Sequence, residues 1–333
     1  MFDCLDSITF ERSNVPTFQR SNAQTMANVT TIYACTAEGL YILNKPGTSP
    51  EWLPPRHVLE GRQVLAAWAE PGPPTRLLAV AFGEPAGTGG ELLSSMNGGR
   101  AWEVSLDAPV TTLAGAPDDP MRLYAGMSGG GLAGSADGGV DWGVLPALPH
   151  GGTVIMLLAD QQESGRLYAL VEHEGERSLA AGNPTEGEWH TLPISGVTSL
   201  TQEPGTGDLY AAATHGVYLS SDQGLMFDPL PGSPTGGAAI IVIPGPVDAP
   251  PTLVLGTPAG LFISSDGGGN WQAAELPHPG GITALSRDPE RRDRLYAATS
   301  TGFLMESGNR GGSWQPINEE AITAPSSLFV IRL

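Results

Sequence analysis

Five copies of one short motif decide which architectures are open to this chain. The motif has the form Ser-x-Asp/Asn-x-Gly-x-x-aromatic. Its copies are Ser95, Asn97, Gly99 and Trp102; Ser135, Asp137, Gly139 and Trp142; Ser220, Asp222, Gly224 and Phe227; Ser264, Asp266, Gly268 and Trp271; and Ser307, Asn309, Gly311 and Trp314. A motif that returns at a fixed period indicates an array of similar supersecondary units, so these residues bear on the fold before they bear on any chemistry.

A second pattern, Leu-Tyr-Ala or a close relative of it, keeps the same period. Its copies are centred on Tyr33, Leu78, Tyr124, Tyr168, Tyr210, Val254 and Tyr296. The resulting period of about 40–50 residues suits a four-stranded propeller blade. Each unit consists of short β-type runs separated by Gly, Pro, Asn and Asp. The 45 Gly and 30 Pro of the chain disfavour long helices.

The five-fold motif has a physical role in a tight turn. The side-chain oxygens of Ser and Asp can accept backbone N–H groups there, and the Gly permits a positive φ. The aromatic residue then starts the next strand and can lie back over the hairpin, which buries roughly 150–250 Å². We therefore expect these residues to build the fold and to perform no chemistry.

On these motifs, the chain from about residue 29 to its end resembles the Asp-box (bacterial neuraminidase repeat) propellers, a superfamily that includes sialidase-like, sortilin-like and photosystem II assembly factor-like members. The resemblance implies that each Asp-box lies in the turn between strands C and D at the blade periphery, opposite the ligand-binding face. Units one and four depart from the pattern, since they keep only the aromatic residue, at Trp52 and Trp189.

The predicted fold is all-β, a seven-bladed propeller of four-stranded antiparallel blades. The first unit has no obvious strand A, and the chain ends with a β-rich segment, residues 326–333. We expect this C-terminal strand to complete blade 1, because ring closure removes exposed sheet edges. A six-bladed ring that discards the first unit is the less favoured alternative.

Residues 28–333 are predicted to form a single propeller domain. Residues 1–27 contain a tandem near-repeat, and they lack the charged start and apolar core of a secretory signal. We interpret them as a disordered or artefactual tail, with Met26 a possible true start, and a cytoplasmic location follows as the default expectation.

The composition of the chain limits the classes of partner that it can bind. The net charge is −19 with a single lysine, Lys45, which argues against nucleic acid. No apolar run reaches the roughly 18 residues of a membrane span, so no membrane insertion is expected. The two cysteines make no disulfide framework. The sequence indicates no cofactor, and a monomer is expected.

The candidate ligand-binding residues lie in predicted B–C and D–A loops, which share one rim of a propeller. They are His57, His150, His173, His215, His278, Glu172 and Glu174. No His-x-His or His-x-x-x-His spacing supports a metal site, so none is predicted. Arginines that begin the B strands, among them Arg76, Arg166 and Arg294, are assigned to the opposite face.

Two functions remain open at this stage. No innermost strand carries a carboxylate or an arginine mid-strand, and the arginine cluster of sialidases is missing. The favoured function is a non-catalytic binding or assembly scaffold that presents its rim to a protein partner, as the resemblance to assembly-factor and sorting-receptor propellers implies. The alternative is a carbohydrate-active propeller, either a xyloglucanase-type glycoside hydrolase with paired rim carboxylates or a lectin-like glycan binder.

Overall fold

The computed structural model describes residues 29–70, 76–83, 90–149, 151–246 and 249–332. This part of the chain is built from strands, and its only other regular element is a short 3-10 turn at Ser128–Gly130. In chain order the strands are β1 (Val29–Thr36), β2 (Gly39–Pro46), β3 (Arg56–Val58), β4 (Gln63–Ala69), β5 (Leu77–Phe82), β6 (Gly90–Ser95), β7 (Glu103–Gly115), β8 (Leu123–Met127), β9 (Leu132–Ser135), β10 (Gly143–Leu145), β11 (Thr153–Ala159), β12 (Leu167–His173), β13 (Glu176–Asn183), β14 (Glu188–Ser195), β15 (Val197–Gln202), β16 (Leu209–Ala213), β17 (Gly216–Ser220), β18 (Asp228–Pro229), β19 (Ala239–Ile243), β20 (Thr252–Thr257), β21 (Gly260–Ser264), β22 (Gln272–Ala273), β23 (Ile282–Arg287), β24 (Leu295–Thr299), β25 (Leu304–Ser307), β26 (Gln315–Pro316) and β27 (Pro325–Arg332).

Six hydrogen-bonded sheets form seven blades, because strand β7 serves two of them. The first part of β7 pairs with β6 as the outer strand of blade 2, and its last part pairs with β8 as the inner strand of blade 3. Blade 1 has the strand order β27-β1-β2-β3, and the sheets from β11 onward are blades 4 to 7. The predicted seven-bladed propeller is confirmed.

The ring closes as the sequence predicts. Strand β27 pairs antiparallel with β1, with Phe329 opposite Tyr33. On its other side, the hydroxyl of Thr283 in blade 7 donates to the Pro325 carbonyl at 2.6 Å. Thr111 and Thr198 make the same bond to the inner strand region of the following blade. The last strand is therefore held by both the first and the last blade.

The core lies between the blades. Seven hydrophobic clusters each join two neighbouring blades, so every seam of the ring has its own core. The B strands are almost fully buried because a blade packs on each of their faces. This explains the Leu-Tyr-Ala pattern, in which successive residues face opposite seams.

The five Asp-box turns share one hydrogen-bond pattern. In each, the Ser hydroxyl donates to the Asp or Asn side chain and accepts the N–H of the box Gly, at 2.7–3.0 Å. The Asp or Asn oxygen also accepts a later backbone N–H, for example that of Asn270 on Asp266 at 2.9 Å. Each box therefore holds its own turn closed.

The box glycines adopt the left-handed backbone conformation that the turn requires, and all five are buried. Their φ angles are +80° at Gly99, +85° at Gly139, +92° at Gly224, +100° at Gly268 and +92° at Gly311.

The box aromatic residues correct one detail of the sequence prediction. They do not start the outer strands but lie directly before them: Trp102 before β7, Trp142 before β10, Phe227 before β18, Trp271 before β22 and Trp314 before β26. Strand pairing begins one residue later because the serine that would oppose the aromatic residue belongs to the turn, where its hydroxyl binds the Gly N–H.

The aromatic side chains nevertheless pack on the seams, as expected. Trp314 is buried, and the other four are half-buried. Trp142 crosses the seam before blade 3 and donates its indole N–H to the Ser105 hydroxyl in the outer strand of blade 2, at 3.0 Å. Phe227, which has no polar atom to place, packs against the core between blades 4 and 5.

One Asp-box makes stability depend on pH. The Asn270 side chain and backbone N–H and the Ser264 hydroxyl all donate to Asp266, and they hold the pKa of its carboxyl at about 2, below the ordinary 3.8. A depressed pKa means that the ionised carboxylate stabilises the fold above about pH 4, and that this contribution is lost as pH falls towards about 2. We expect the urea midpoint to fall over this range, and to fall less steeply in Asp266→Asn.

The asparagine variant is a suitable comparison because Asn97 and Asn309 occupy the same position in two natural boxes and make the same turn. The midpoint is measured by urea titration at a series of pH values. Equal acid dependence in the two proteins would show that Asp266 does not contribute to it.

Candidate binding groove between blades 7 and 1

The structure spreads the predicted rim histidines over several blades. His57, at the outer strand of blade 1, stacks on Tyr41 at 4.2 Å between ring centroids and contacts the Glu38 carbonyl at 3.1 Å. His278, between blades 6 and 7, stacks on Phe303 at 3.8 Å. Each ring thus has its own neighbours, and their role in ligand binding stays a prediction.

The remaining rim candidates lie around blades 4 and 5. His173 and His215 are at B–C turns, and Glu172 forms an ion pair with Arg177 at 3.0 Å. Glu172 also lines a depression of about 590 Å³ at the seam between these blades. Glu174 sits at the hairpin tip with φ +52°. His150 and the predicted tail, residues 1–27, lie outside the described residues.

No group of three or more His, Cys, Asp and Glu side chains in the described ranges is arranged to hold a metal ion. Within the same ranges, no helix has the length and apolar character needed to cross a membrane.

The Asp-boxes seal the seams between blades, because each box glycine faces the blade before it. A Cβ built on Gly139 would lie only 2.7 Å from Leu78, and one built on Gly224 would lie 2.6 Å from Leu192. The approach is looser at Gly99, whose added Cβ would lie 3.3 Å from Ile42 of blade 1. Each box therefore presses its glycine against the preceding blade and fills the outer end of that seam.

Arginines of the preceding blade fasten these turns. Arg76 of blade 2 donates to the Gly138 carbonyl in the box of blade 3 at 3.0 Å. Arg166 of blade 4 donates to the Gln223 carbonyl in the box of blade 5 at 3.3 Å. Both carbonyls occupy the same place, three residues after the box serine.

Blade 1 has different residues where the box would be. In the boxed blades the Ser pairs with the Leu of Leu-Tyr-Ala, as Ser307 does with Leu295, whereas in blade 1 this register position is Leu43, opposite Ile32. Two residues further on, where the boxes have Asp or Asn, blade 1 has Lys45. The sole lysine of the chain thus reverses the charge of the box position.

The chain then takes a longer path before the next strand. The aromatic residue, Trp52, comes two residues later than in a box. Blade 4, the other unit without a box, keeps Trp189 at the usual distance from its register position, Gly182. The seam before blade 4 holds a cavity of only about 20 Å³, whereas the seam before blade 1 is open.

The opening is a groove with two parts, which we call the seam groove. Its basic arm is a cleft of about 530 Å³, and its proline arm is a larger cleft of about 1110 Å³. Pro50, Glu306 and Gln315 line both clefts, so the two arms are continuous. The proline arm reaches the rim at His278, the one residue among the described rim candidates that lines the groove.

Four cations line the basic arm. They are Lys45, Arg291, Arg294 and Arg332. The carboxylate of Glu306 accepts a bond from Lys45 at 2.5 Å and lies 3.7 Å from Arg294. Glu290 lies outside the cleft lining and pairs with Arg332 at 3.1 Å. Among the described residues, two carboxylates therefore face four cations, so this part of the arm is locally positive in a chain of net charge −19.

The proline arm has the opposite character. Its walls include Pro50, Pro54, Pro55 and Pro316, and besides the shared Glu306 it is lined by Glu51, Glu319 and Glu320. Trp52 stands where the arms meet, with the Lys45 ammonium 5.5 Å from its ring centroid and its edge on Tyr296 at 6.0 Å. The groove is therefore polarised along its length.

Two features of the sequence indicate this site, although the prediction of the rim residues did not use them. One is the missing box of the first unit, and the other is Lys45 two residues after Leu43. The assignment of Arg294 to the face away from the rim is consistent with the structure, but that face carries the basic arm.

These features define the class of the protein: a closed, seven-bladed β-propeller with an open groove at its closure seam. The chain is similar to the solved structure of YCF48 bound to D1 peptide, with a TM-score of 0.57 and 16% identity over 78% of this chain and 82% of that one. It is also similar to YCF48 from Cyanidioschyzon merolae, with a TM-score of 0.54 and 12% identity over 80% and 98%. At this identity the likeness shows the fold.

No protein-family model matches the chain. No curated protein matches it. The resemblance to Asp-box propellers therefore stays a prediction that rests on the repeated turns.

Proposed function

We propose that this propeller is a non-catalytic scaffold that docks a peptide segment of a partner protein in the seam groove. The observation that carries the proposal is the polarised groove itself, a positive arm continuous with a proline-walled arm, in a strongly acidic protein. Charge complementarity of this kind gives a partner its orientation as well as its attraction.

The size of the groove favours a chain segment over a small molecule. The proline arm alone, at about 1110 Å³, exceeds the roughly 300–1,000 Å³ of small-molecule pockets. Proline and tryptophan side chains offer rigid apolar contact surface at low entropic cost, which suits the docking of an extended peptide.

The solved neighbour supports the same use of the fold. YCF48 has been solved with D1 peptide bound, so a propeller similar to this one can dock a peptide. Only the ability of the fold to bind a peptide is transferred from that structure. The chemistry of the partner of this chain follows from the charges of its own groove. A monomer that acts without a cofactor is part of the proposal.

Charge reversal at the groove tests the proposal. Arg294→Glu places a carboxylate beside Glu306 in the basic arm, and we expect capture of the partner from native lysate to fall by at least about tenfold, the effect of about 1.4 kcal/mol. The matched control is Arg177→Glu, an equal charge change in the acidic hairpin of blade 4. Captured proteins are quantified by mass spectrometry against the unsubstituted propeller.

Two results would contradict the proposal. One is an identical set of captured proteins for both variants, which would place docking elsewhere. The other is hydrolysis of xyloglucan, or specific binding on a glycan array, that survives both substitutions; this would favour the carbohydrate-active alternative.

A further inference from the structure

A comparison of the blades indicates which kind of ligand fits the basic arm. In the seam between blades 1 and 2, Arg56 donates to the Gly98 carbonyl of the next box. Arg76 and Arg166 make the equivalent bond in two other seams. The carbonyl is in each case the third after the box serine, so the same contact occurs at three of the five boxes.

Arg294 occupies the same place in blade 7 as Arg76 and Arg166 do in theirs. All three directly precede the Leu of Leu-Tyr-Ala at the start of strand B. The next blade offers Arg294 no box, and its described ion pair is with Glu306 of its own blade at 3.7 Å. The guanidinium thus lines the groove at the position where Arg76 and Arg166 bind a turn carbonyl, whereas Arg122, which faces the other blade without a box, donates to the Ser164 hydroxyl.

The indole N–H groups of the tryptophans at the box position differ in their acceptors. Trp102 and Trp271 donate to the carbonyl of their own box Gly at 3.2 Å and Trp142 donates to Ser105, whereas the indole N–H groups of Trp189 and Trp314 have no partner among the described residues. The Trp52 indole N–H is buried and has no hydrogen-bond partner among the described residues.

We propose that the basic arm receives an acidic, Asp-box-like turn from a partner protein, which takes the place of the box that blade 1 lacks. This inference rests on the proposed docking function and specifies the chemistry of the docked segment. The turn presents its carbonyl oxygens to Arg294, and its aspartate lies against the positive arm. Charge-assisted bonds from guanidinium to such acceptors are the stronger class of hydrogen bond.

Lys45 explains why the incoming turn is acidic. Blade 1 carries this cation at the position where boxed blades have Asp or Asn. Arg291 forms no ion pair among the described residues, so it remains available to a second acceptor. Lys45 already pairs with Glu306, so the charge that backbone carbonyls alone would leave without an ion pair is that of Arg291, and a turn with a carboxylate supplies its partner.

The probe is the peptide acetyl-Ser-Ser-Asp-Gly-Gly-Gly-Asn-Trp-amide, which copies residues 264–271, with a scrambled peptide of equal composition beside it. Binding is followed by NMR titration of the isotope-labelled propeller. We expect binding of the box peptide, affinity at least about tenfold lower for Arg294→Gln, and no change for Arg177→Gln. Affinity should also fall with added salt, which screens the charges.

A box graft provides a second arm of the test. Residues 43–52 are replaced by the eight-residue box sequence, which restores the spacing of the boxed blades. We expect the graft to fill the arm and to abolish binding of the box peptide. If the graft does not fold, Arg294→Lys is tested instead. This variant keeps the positive charge but loses the planar array of guanidinium donors, and we expect it to weaken binding of the box peptide about as much as Arg294→Gln does.

Failure of this inference is distinguishable from failure of the docking function. If partner capture depends on Arg294 while the box and scrambled peptides bind equally or not at all, docking stands and the box-like turn is wrong. If the box peptide binds as expected and no partner is captured, the site is right and the function is wrong. Self-association that Arg294→Gln abolishes would assign the turn to a second copy and overturn the choice of a different protein.

Discussion

Truncation after residue 324 is expected to leave a chain that does not fold cooperatively. Strand β27 contributes Leu328, Val330 and Ile331 to the cores that flank blade 1, and each is less than a tenth exposed. Burial of three such side chains is worth about 5–9 kcal/mol, which is comparable with the whole stability of about 5–15 kcal/mol of a typical domain. The truncation also leaves β1 as an unpaired edge.

Circular dichroism and urea titration measure this outcome, and a point substitution separates strand loss from chain shortening. Val330→Asp places a charge in the core of the closure seam, whereas Ser326→Asp changes an exposed residue of the same strand. We expect the first substitution to remove most of the stability and the second to have little effect. An unaltered urea midpoint in the truncated chain would mean that the ring does not depend on β27.

Gly268→Ala is expected to destabilise the propeller by about 2–5 kcal/mol. Gly268 has φ +100°, and an added Cβ would lie 2.4 Å from Leu230 Cδ1 in the preceding blade. A left-handed backbone conformation costs a residue with a Cβ about 1–2 kcal/mol, and the clash with the seam core adds overpacking of about 1–3 kcal/mol.

The neighbouring glycine supplies the matched control. Gly267 also has a positive φ, +75°, but an added Cβ would come no closer than 3.4 Å, to Pro250. We expect Gly267→Ala to cost only the backbone part of the effect. The free energy of unfolding from urea titration compares the two variants, and equal losses would show that the box glycine does not act by packing on the preceding blade.

The blades can be predicted from the sequence because each is encoded by local, periodic patterns. Buried B strands require apolar residues on both faces, and the box turn requires Ser, Asp or Asn, and Gly at fixed spacing. The closing strand can also be predicted, since an unpaired first unit and a leftover final strand have one simple solution. Strand β7 is harder, because its continuation from blade 2 into blade 3 carries no sequence signal of its own.

The seam groove could not be predicted in the same way, because it depends on registers and on ring closure. Lys45 occupies the position that has Asp or Asn in the boxes. The sequence alone does not show this, because the position is defined by the pairing of Leu43 with Ile32. Arg294 and Lys45 are far apart in sequence and meet at Glu306 because blade 7 packs on blade 1. The described rim histidines are spread over several blades, whereas the groove results from the missing turn of blade 1.

The groove lies beside the junction that closes the ring, because Thr30 of β1 and Arg332 of β27 line its basic arm and these two strands pair within blade 1. An occupant that contacts both blade 7 and blade 1 would hold these two blades together. By mass action it would raise the free energy of unfolding by about 2.7 kcal/mol at a hundredfold excess over its dissociation constant. Binding in the groove and the stability of the ring are thus thermodynamically linked. The melting temperature of the propeller can therefore report whether the groove is occupied.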